Sequence, residues 1–406
     1  MSTPTTSRRN FLRYASLAAA ATPLLTEGHL ARAAQQQQQS VYTFGVNHPL
    51  PADTVLINAN ENPLGPCKAA CQAIADIAHV GGRYDIYDHN EILIKQVATQ
   101  LGLKPESVKL YPGSSEPLHY TVLAFTSPSH GLVTADPSYE APIAGAMVTK
   151  APVARVRLTG DYAHDTKAMV TADANAGVIY ICNPNNPTGT ITAKKDILWT
   201  LENKPEGSIL LVDEAYIHLS DAESVVDQVA AGKDLIVLRT FSKIYGMAGI
   251  RCGVALGRPD LLKRLEAFNG QSAMPITALV AASASLSDPN LVPERKKIIG
   301  DTRRSTLAWL KENNYKVIGD PQSNCFMIDT RRKGRTVMAA MQEKGVIIGR
   351  VWPIWPLAVR ISVGTPAEMA RFQTAFKQVM DAIPAVASTE PEAPLTHRED
   401  LRTWHA

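Results

Sequence analysis

The sequence predicts an α/β protein: a mostly parallel central sheet with flanking helices, followed by a smaller C-terminal α+β domain. Two observations carry this. Short apolar runs without polar alternation recur between residues 131 and 238, as strands buried on both faces do. Helix-length segments of mixed polarity lie among them, giving the βα alternation of a doubly wound sheet.

Taken in order, KAACQAIADIAHV and the stretch after it predict helices over 69–79 and 90–101. A glycine turn, GSSEP (113–117), opens a helix that runs to 126. Buried strands are predicted at GLVTA (131–135), VIYIC (178–182), ILLV (209–212) and LIVL (235–238), with a helix over 194–203. Beyond about residue 255 the pattern changes. Helices dominate 258–313, then short strand-like pieces follow near 325–328, 346–348 and 359–363, with a last helix over 366–383. The domain reading is an N-terminal arm (34–66) joining the small domain, a large domain (67–285), the small domain (286–383) and a Pro-, Glu- and Thr-rich disordered tail (384–406).

The 406 residues are 45% hydrophobic, enough for a sizeable core, and the formal charge is only +3. No concentrated basic face is implied, so nucleic acid is not expected as a partner. Five cysteines do not make a disulfide framework, and Cys67 and Cys71, four apart on one helix face, lack a second pair at zinc spacing. They read as packed thiols, and no metal is expected. No G-x-G-x-x-G joins a strand to a helix, which argues against a dinucleotide site.

The N-terminus reads SRRNFLRYASLAAAATPLLTEGHLARAA. Arg8 and Arg9 precede Phe11 and Leu12, a modest apolar run and an A-x-A site at Ala31–Ala33. This is the pattern of a cleaved twin-arginine export signal over 1–33, too short to span a bilayer. Periplasmic or secreted localisation through the twin-arginine machinery follows as an expectation.

The chemistry sits just after the strands. NPNNPTGT (183–190), DEAY (213–216) and RTFSK (239–243) each follow one. Ligands of open α/β sheets bind outside the carboxyl ends of strands, so Asn186, Asp213, Tyr216, Thr240 and Lys243 should converge. Singly, each has a bland explanation: a helix cap, a turn, a solvated lysine. Together they are coherent. A lysine amine can hold an aldehyde cofactor as a Schiff base. Pyridoxal phosphate needs a carboxylate at its ring nitrogen, and Asp213 offers one. Asn186 and Tyr216 suit the phenolic oxygen. Thr240, Arg251 and the GSSEP helix start suit the phosphate.

With these motifs the chain resembles the fold type I pyridoxal-phosphate aminotransferases, and most the histidinol-phosphate aminotransferases. The resemblance runs from NANENPLGP (58–66) through GRYDIYD, YPGSSEPL, DPSYEAP, NPNNPTGT, VDEAY and TFSKIYGMAGIRCG to VRISVGTPAEM (359–369). It implies that Lys243 carries pyridoxal 5′-phosphate and shuttles a proton, with Asp213 at the pyridine nitrogen and Tyr216 and Asn186 at the phenolic oxygen. It implies that Tyr139 stacks on the ring and that Ser114, Ser115, Thr240 and Arg251 bind phosphate. It also implies that Tyr84 reaches the neighbouring subunit's site in a homodimer, and that Arg360 grips the substrate α-carboxylate.

One segment departs from the family. Relatives tend to place an arginine directly after the GVII-like strand; here Gly349 stands there and Arg350 follows. Trp352 and Trp355 fill the loop before Arg360. Trp352 and Trp355 either line the substrate's distal end, slightly favouring an aromatic or imidazole-like donor to a 2-oxo acid acceptor, or serve only as structural packing; Trp352 and Arg350 are the expected substrate contacts there, and Arg350 keeps an anionic distal group possible. Spacing leaves open β-elimination, racemisation or cyclisation on the same cofactor, or a binding protein that has lost catalysis.

Overall fold

The computed structural model describes residues 50–85, 87–269 and 273–386. The export-signal reading (1–33), part of the arm and most of the expected tail lie outside the described residues. Asp53–Val386 forms one compact unit.

The strands are β1 (Val55–Ile57), β2 (Val108–Tyr111), β3 (Gly131–Asp136), β4 (Val153–Arg157), β5 (Ala176–Cys182), β6 (Ile209–Asp213), β7 (Leu235–Thr240), β8 (Gly253–Gly257), β9 (Lys316–Ile318), β10 (Cys325–Asp329), β11 (Val346–Ile348) and β12 (Ala358–Ser362). A seven-stranded sheet runs in the order β2-β8-β7-β6-β5-β3-β4. All its pairings are parallel except those that β8 makes to β7 and β2. Its middle strands are apolar on both faces because helices cover both. Every residue of β5 and β6 is buried, and each large side chain so buried contributes about 1.5–3 kcal/mol.

A three-stranded antiparallel sheet, β12-β10-β9, carries the C-terminal part. It packs with the helices Leu291–Glu312, Gly334–Glu343 and Pro366–Ala382. Pro366–Ala382 starts with a capping box: Thr365 accepts from the Glu368 N–H while the Glu368 carboxylate accepts from the Thr365 N–H. β1 pairs in parallel with β11, Val55 opposite Val346, so the segment before residue 60 is stapled to the C-terminal region.

Two expectations need correcting. Cys67 is not within the helix but caps it, its sulfur accepting from the Ala70 N–H, and Cys71 is exposed rather than packed. β2, β4 and β8 also join the sheet without having been foreseen. VARVR in β4 is only half-buried from Val153 to Val156 and exposed at Arg157, so it lacks the apolar run that marks its neighbours. Among the described residues no helix is long and apolar enough to cross a membrane.

Candidate active site

β3, β5, β6 and β7 run the same way, and β2, antiparallel to β8, shares their direction. Their carboxyl ends meet on one edge. Asp213 closes β6 there, only 3% exposed. The Tyr180 hydroxyl donates to its Oδ2 at 3.1 Å, and the Ala215 N–H to its Oδ1 at 3.1 Å. Burial pushes this carboxyl up to about 6, against the pull of those two hydrogen bonds and of Lys243. Both acceptor bonds hold the anionic form in a place that would otherwise neutralise it.

Lys243 lies three residues past the end of β7. Its Nζ donates to the Asn60 carbonyl at 2.9 Å and lies 5.5 Å from the centre of the Tyr216 ring. Desolvation, with the charge of Arg360 adding to it, brings the amine down to about 8. A partly neutral amine is what a nucleophile needs.

At the β2 and β7 ends lies an anion cup. The helix Ser115–Phe125 begins there, its N-cap Ser114 preceded by Gly113 at φ +92°. A Cβ on Gly113 would overlap the Arg251 guanidinium, and one on Gly253 would stand 2.6 Å from the Ser114 nitrogen. Only glycine lets these backbones approach so closely. Arg251 Nη1 donates to Ser242 Oγ at 3.1 Å, and Thr240 Oγ1 donates to the same oxygen at 3.0 Å. Two hydroxyls, a guanidinium and a helix N-terminus converge on one place, which is phosphate chemistry.

The opposite wall comes from β1 and β12. Arg360, 6% exposed, donates from Nη1 to Asn186 Oδ1 at 2.9 Å and from Nη2 to the Asn58 carbonyl at 2.6 Å. Its Nε is buried and makes no hydrogen bond among the described residues. Asn60, at φ +53°, is the hub of this wall. It exchanges hydrogen bonds with Ser362 Oγ at 2.8 and 3.0 Å, and its Nδ2 reaches the Tyr216 hydroxyl at 3.0 Å.

The structure thus brings Asp213, Tyr216, Asn186, Thr240, Lys243, Arg251 and Arg360 together, with Ser114 and Ser115 at the helix start. Tyr139 is partly buried at the end of β3, within electrostatic reach of Tyr180. Tyr84 is 86% exposed and, among the described residues, makes no hydrogen bond or ring contact with this subunit's own site. Trp352 is a correction. It is 1% exposed, packs with Ile318, Met327 and Ala358, and donates from its indole to the Ser138 carbonyl at 3.2 Å. An indole that is buried and hydrogen-bonded in this way is a floor, not a lining. Arg350 does not stand free either: its Nη2 is 2.6 Å from Glu140 Oε2.

Four contributors went unassigned in the sequence: Asn60, Glu140, Tyr180 and Ser242. Ser242 had a signal, a second hydroxyl in TFSK beside the phosphate threonine. Tyr180 sits inside an apolar run and reads as core. Asn60 and Glu140 act through partners far away in sequence.

The chemistry of this donor set fits one group well. A lysine amine, a buried carboxylate across from it and a phosphate cup beside it are what pyridoxal 5′-phosphate requires. The protein therefore stands among the fold type I enzymes that use that cofactor. The family described as "Aminotransferase class I and II" matches residues 52–376, and the chain belongs to it. It is 33% identical over 341 residues to a Pseudomonas fluorescens protein named histidinol-phosphate aminotransferase 2, covering 81% of this chain and 90% of that one. It is 31% identical over 334 residues to an aromatic amino acid aminotransferase of Rhodococcus jostii, covering 82% and 91%. The crystal structure of a Sinorhizobium meliloti histidinol-phosphate aminotransferase with pyridoxal 5′-phosphate superposes with a TM-score of 0.75 at 23% identity, covering 84% of this chain and 98% of that one. The protein is a pyridoxal-phosphate-dependent aminotransferase.

Proposed function

We propose that the protein moves an amino group from an amino acid with an uncharged aromatic or imidazole-like side chain to a 2-oxo acid, as a homodimer exported through the twin-arginine route. The observation that carries the reaction is the meeting of Lys243, Asp213 and Arg360 in one pocket. The ring preference draws on the relatives, whose names include a histidinol-phosphate and an aromatic amino acid aminotransferase. Exposed Tyr84 supports the dimer, since a tyrosine at that motif position has its role in the neighbouring subunit. Arg8-Arg9 with its apolar run supports export.

Bound pyridoxal phosphate would supply an electrophilic aldehyde carbon and a conjugated ring that takes up the electron pair left when Cα loses its proton. The protein's part is to bind, orient and move protons. Arg360 holds the donor α-carboxylate through a planar two-point contact. The Lys243 amine would take the proton from the donor Cα and give it to the cofactor's aldehyde-derived carbon. Asp213 would keep the pyridine nitrogen protonated. Tyr216 and Asn186 would hold the phenolic oxygen, and Thr240, Ser242, Arg251 and the Ser114–Ser115 N–H groups would hold the phosphate.

The test is a single half-reaction, followed by absorbance with a panel of amino acids and no acceptor. Phenylalanine, tyrosine or histidine should convert the cofactor from its lysine-bound to its amine form. Pyruvate and ammonia in place of that conversion would overturn transamination in favour of β-elimination. For export, a reporter fused behind residues 1–33 should leave the cytoplasm, and Arg8→Lys with Arg9→Lys should retain it; equal export of both would refute the route.

A further inference from the structure

We propose that Glu140 is a specificity-determining residue: by engaging Arg350 it removes the free cation from the distal end of the substrate site, and so excludes donors that carry a terminal phosphate or carboxylate. This rests on the aminotransferase reading and on Arg360 as the α-carboxylate grip.

The geometry is a short stack. The Trp352 indole lies under two guanidiniums, Arg350 at 4.7 Å and Arg360 at 5.4 Å from the ring. The two arginines are joined further by the Arg360 N–H donating to the Arg350 carbonyl at 3.3 Å. A substrate whose α-carboxylate occupies Arg360 therefore meets Arg350 as the next cation. Arg350 keeps 30% of its side chain accessible, but its charge is matched by Glu140, whose side chain is only 10% accessible, at 2.6 Å. The pair is electrically neutral as seen from the pocket, and an incoming dianion would face a buried carboxylate as well as a guanidinium. Like charges brought together in a desolvated site discriminate strongly.

Position 349 offers no substitute. A Cβ on Gly349 would stand 2.7 Å from the Arg360 carbonyl oxygen and 3.1 Å from its Nε. A side chain there displaces the carboxylate grip itself. Gly349 thus offers no side chain directly after β11, and the cation at the next residue, Arg350, is already engaged by Glu140. Glu140 is reached from the other direction, immediately after Tyr139 and two residues from Ser138, whose carbonyl holds the Trp352 indole. One short segment thus fixes both the floor and the counter-charge.

The experiment compares phenylalanine with O-phosphoserine as donors for the wild-type holoenzyme, Glu140→Gln and Arg350→Gln. The wild type should favour phenylalanine in kcat/KM. Glu140→Gln should raise the phosphoserine-to-phenylalanine ratio by about tenfold or more, mostly through a lower KM, about 1.4 kcal/mol of discrimination. Arg350→Gln should lower that ratio below the wild-type value. Calorimetry gives an activity-independent readout: maleate, with two carboxylates, should bind Glu140→Gln more tightly than wild type. An unchanged ratio and unchanged maleate affinity in Glu140→Gln would overturn the proposal, as would a wild type that prefers phosphoserine. If no donor converts the cofactor in any variant, transamination itself is refuted, and the maleate comparison still decides for or against Glu140.

Discussion

At the carboxyl edge of the large sheet, Asp213, Thr240 and Lys243 stand at or within three residues of the strand ends that carry them. On the facing wall, Asn58 meets Arg360 and Asn60 meets Ser362 across 302 residues of sequence in each case. The first region supplies groups that react or hold the cofactor. The second supplies groups that aim them: Asn60 alone touches Lys243 and Tyr216. Chemistry is placed by local chain geometry here, and alignment by long-range closure.

The comparison can be tested from either side. Lys243→Ala strikes the strand-end region and should lower amine transfer by about 10⁴-fold or more, since both the nucleophile and the proton carrier are lost. Donor-induced spectral change in a stopped-flow trace would measure it; near-normal turnover would remove Lys243 from the mechanism. Arg360→Lys strikes the wall. It keeps the charge and loses the planar fork, so kcat/KM for the donor should fall about 10–100-fold, chiefly in KM. A fall confined to kcat would place Arg360 in the proton chemistry instead.

The third expectation concerns pH. The Lys243 amine is lowered to about 8 by desolvation first and by Arg360 second. Its neutral, nucleophilic fraction therefore grows as pH rises towards that value. Cofactor capture by the apoprotein should quicken by up to about tenfold per pH unit below the inflection and level off above it. The inflection should move upward in Arg360→Gln, because a positive neighbour has been removed; a flat profile would contradict the assigned ionisation. Smallest is Asn60→Gly, which tolerates the φ of +53° and leaves the carbonyl on Lys243 while removing the side-chain bonds. Urea unfolding should show a loss of about 1–3 kcal/mol, with a modest drop in kcat. Asn60→Ala should lose more, because alanine strains in the left-handed region.

This division also explains what could be read in the sequence. The runs VIYIC, ILLV and LIVL announced buried parallel strands, and the residues after them announced the site, because a strand end fixes where the next few side chains go. β5 proved longer than its apolar core, starting at Ala176, and β4 was missed because its alternation is half-buried. The roles of Asn60 and Glu140 were illegible for another reason. An asparagine in a turn motif and a glutamate after a tyrosine look like solvated polar groups until Ser362 and Arg350 fold onto them. Trp352 misled in the same way: an aromatic near a substrate loop does not reveal which side of the backbone it packs on.

The parallel pairing of β1 with β11, noted above as a staple, has a consequence for how ligands act on the whole chain. Closing a loop of that length costs roughly 5 kcal/mol of chain entropy. A cofactor anchored in the phosphate cup, which lies inside that loop, and a donor anchored on Arg360, just beyond it, tie the loop's interior to its closed end through a second route. Each bound molecule works as a removable crosslink, and at about a hundredfold excess over its Kd stabilises the folded chain by about 2.7 kcal/mol. The substrate is then a structural member of the protein for as long as it stays.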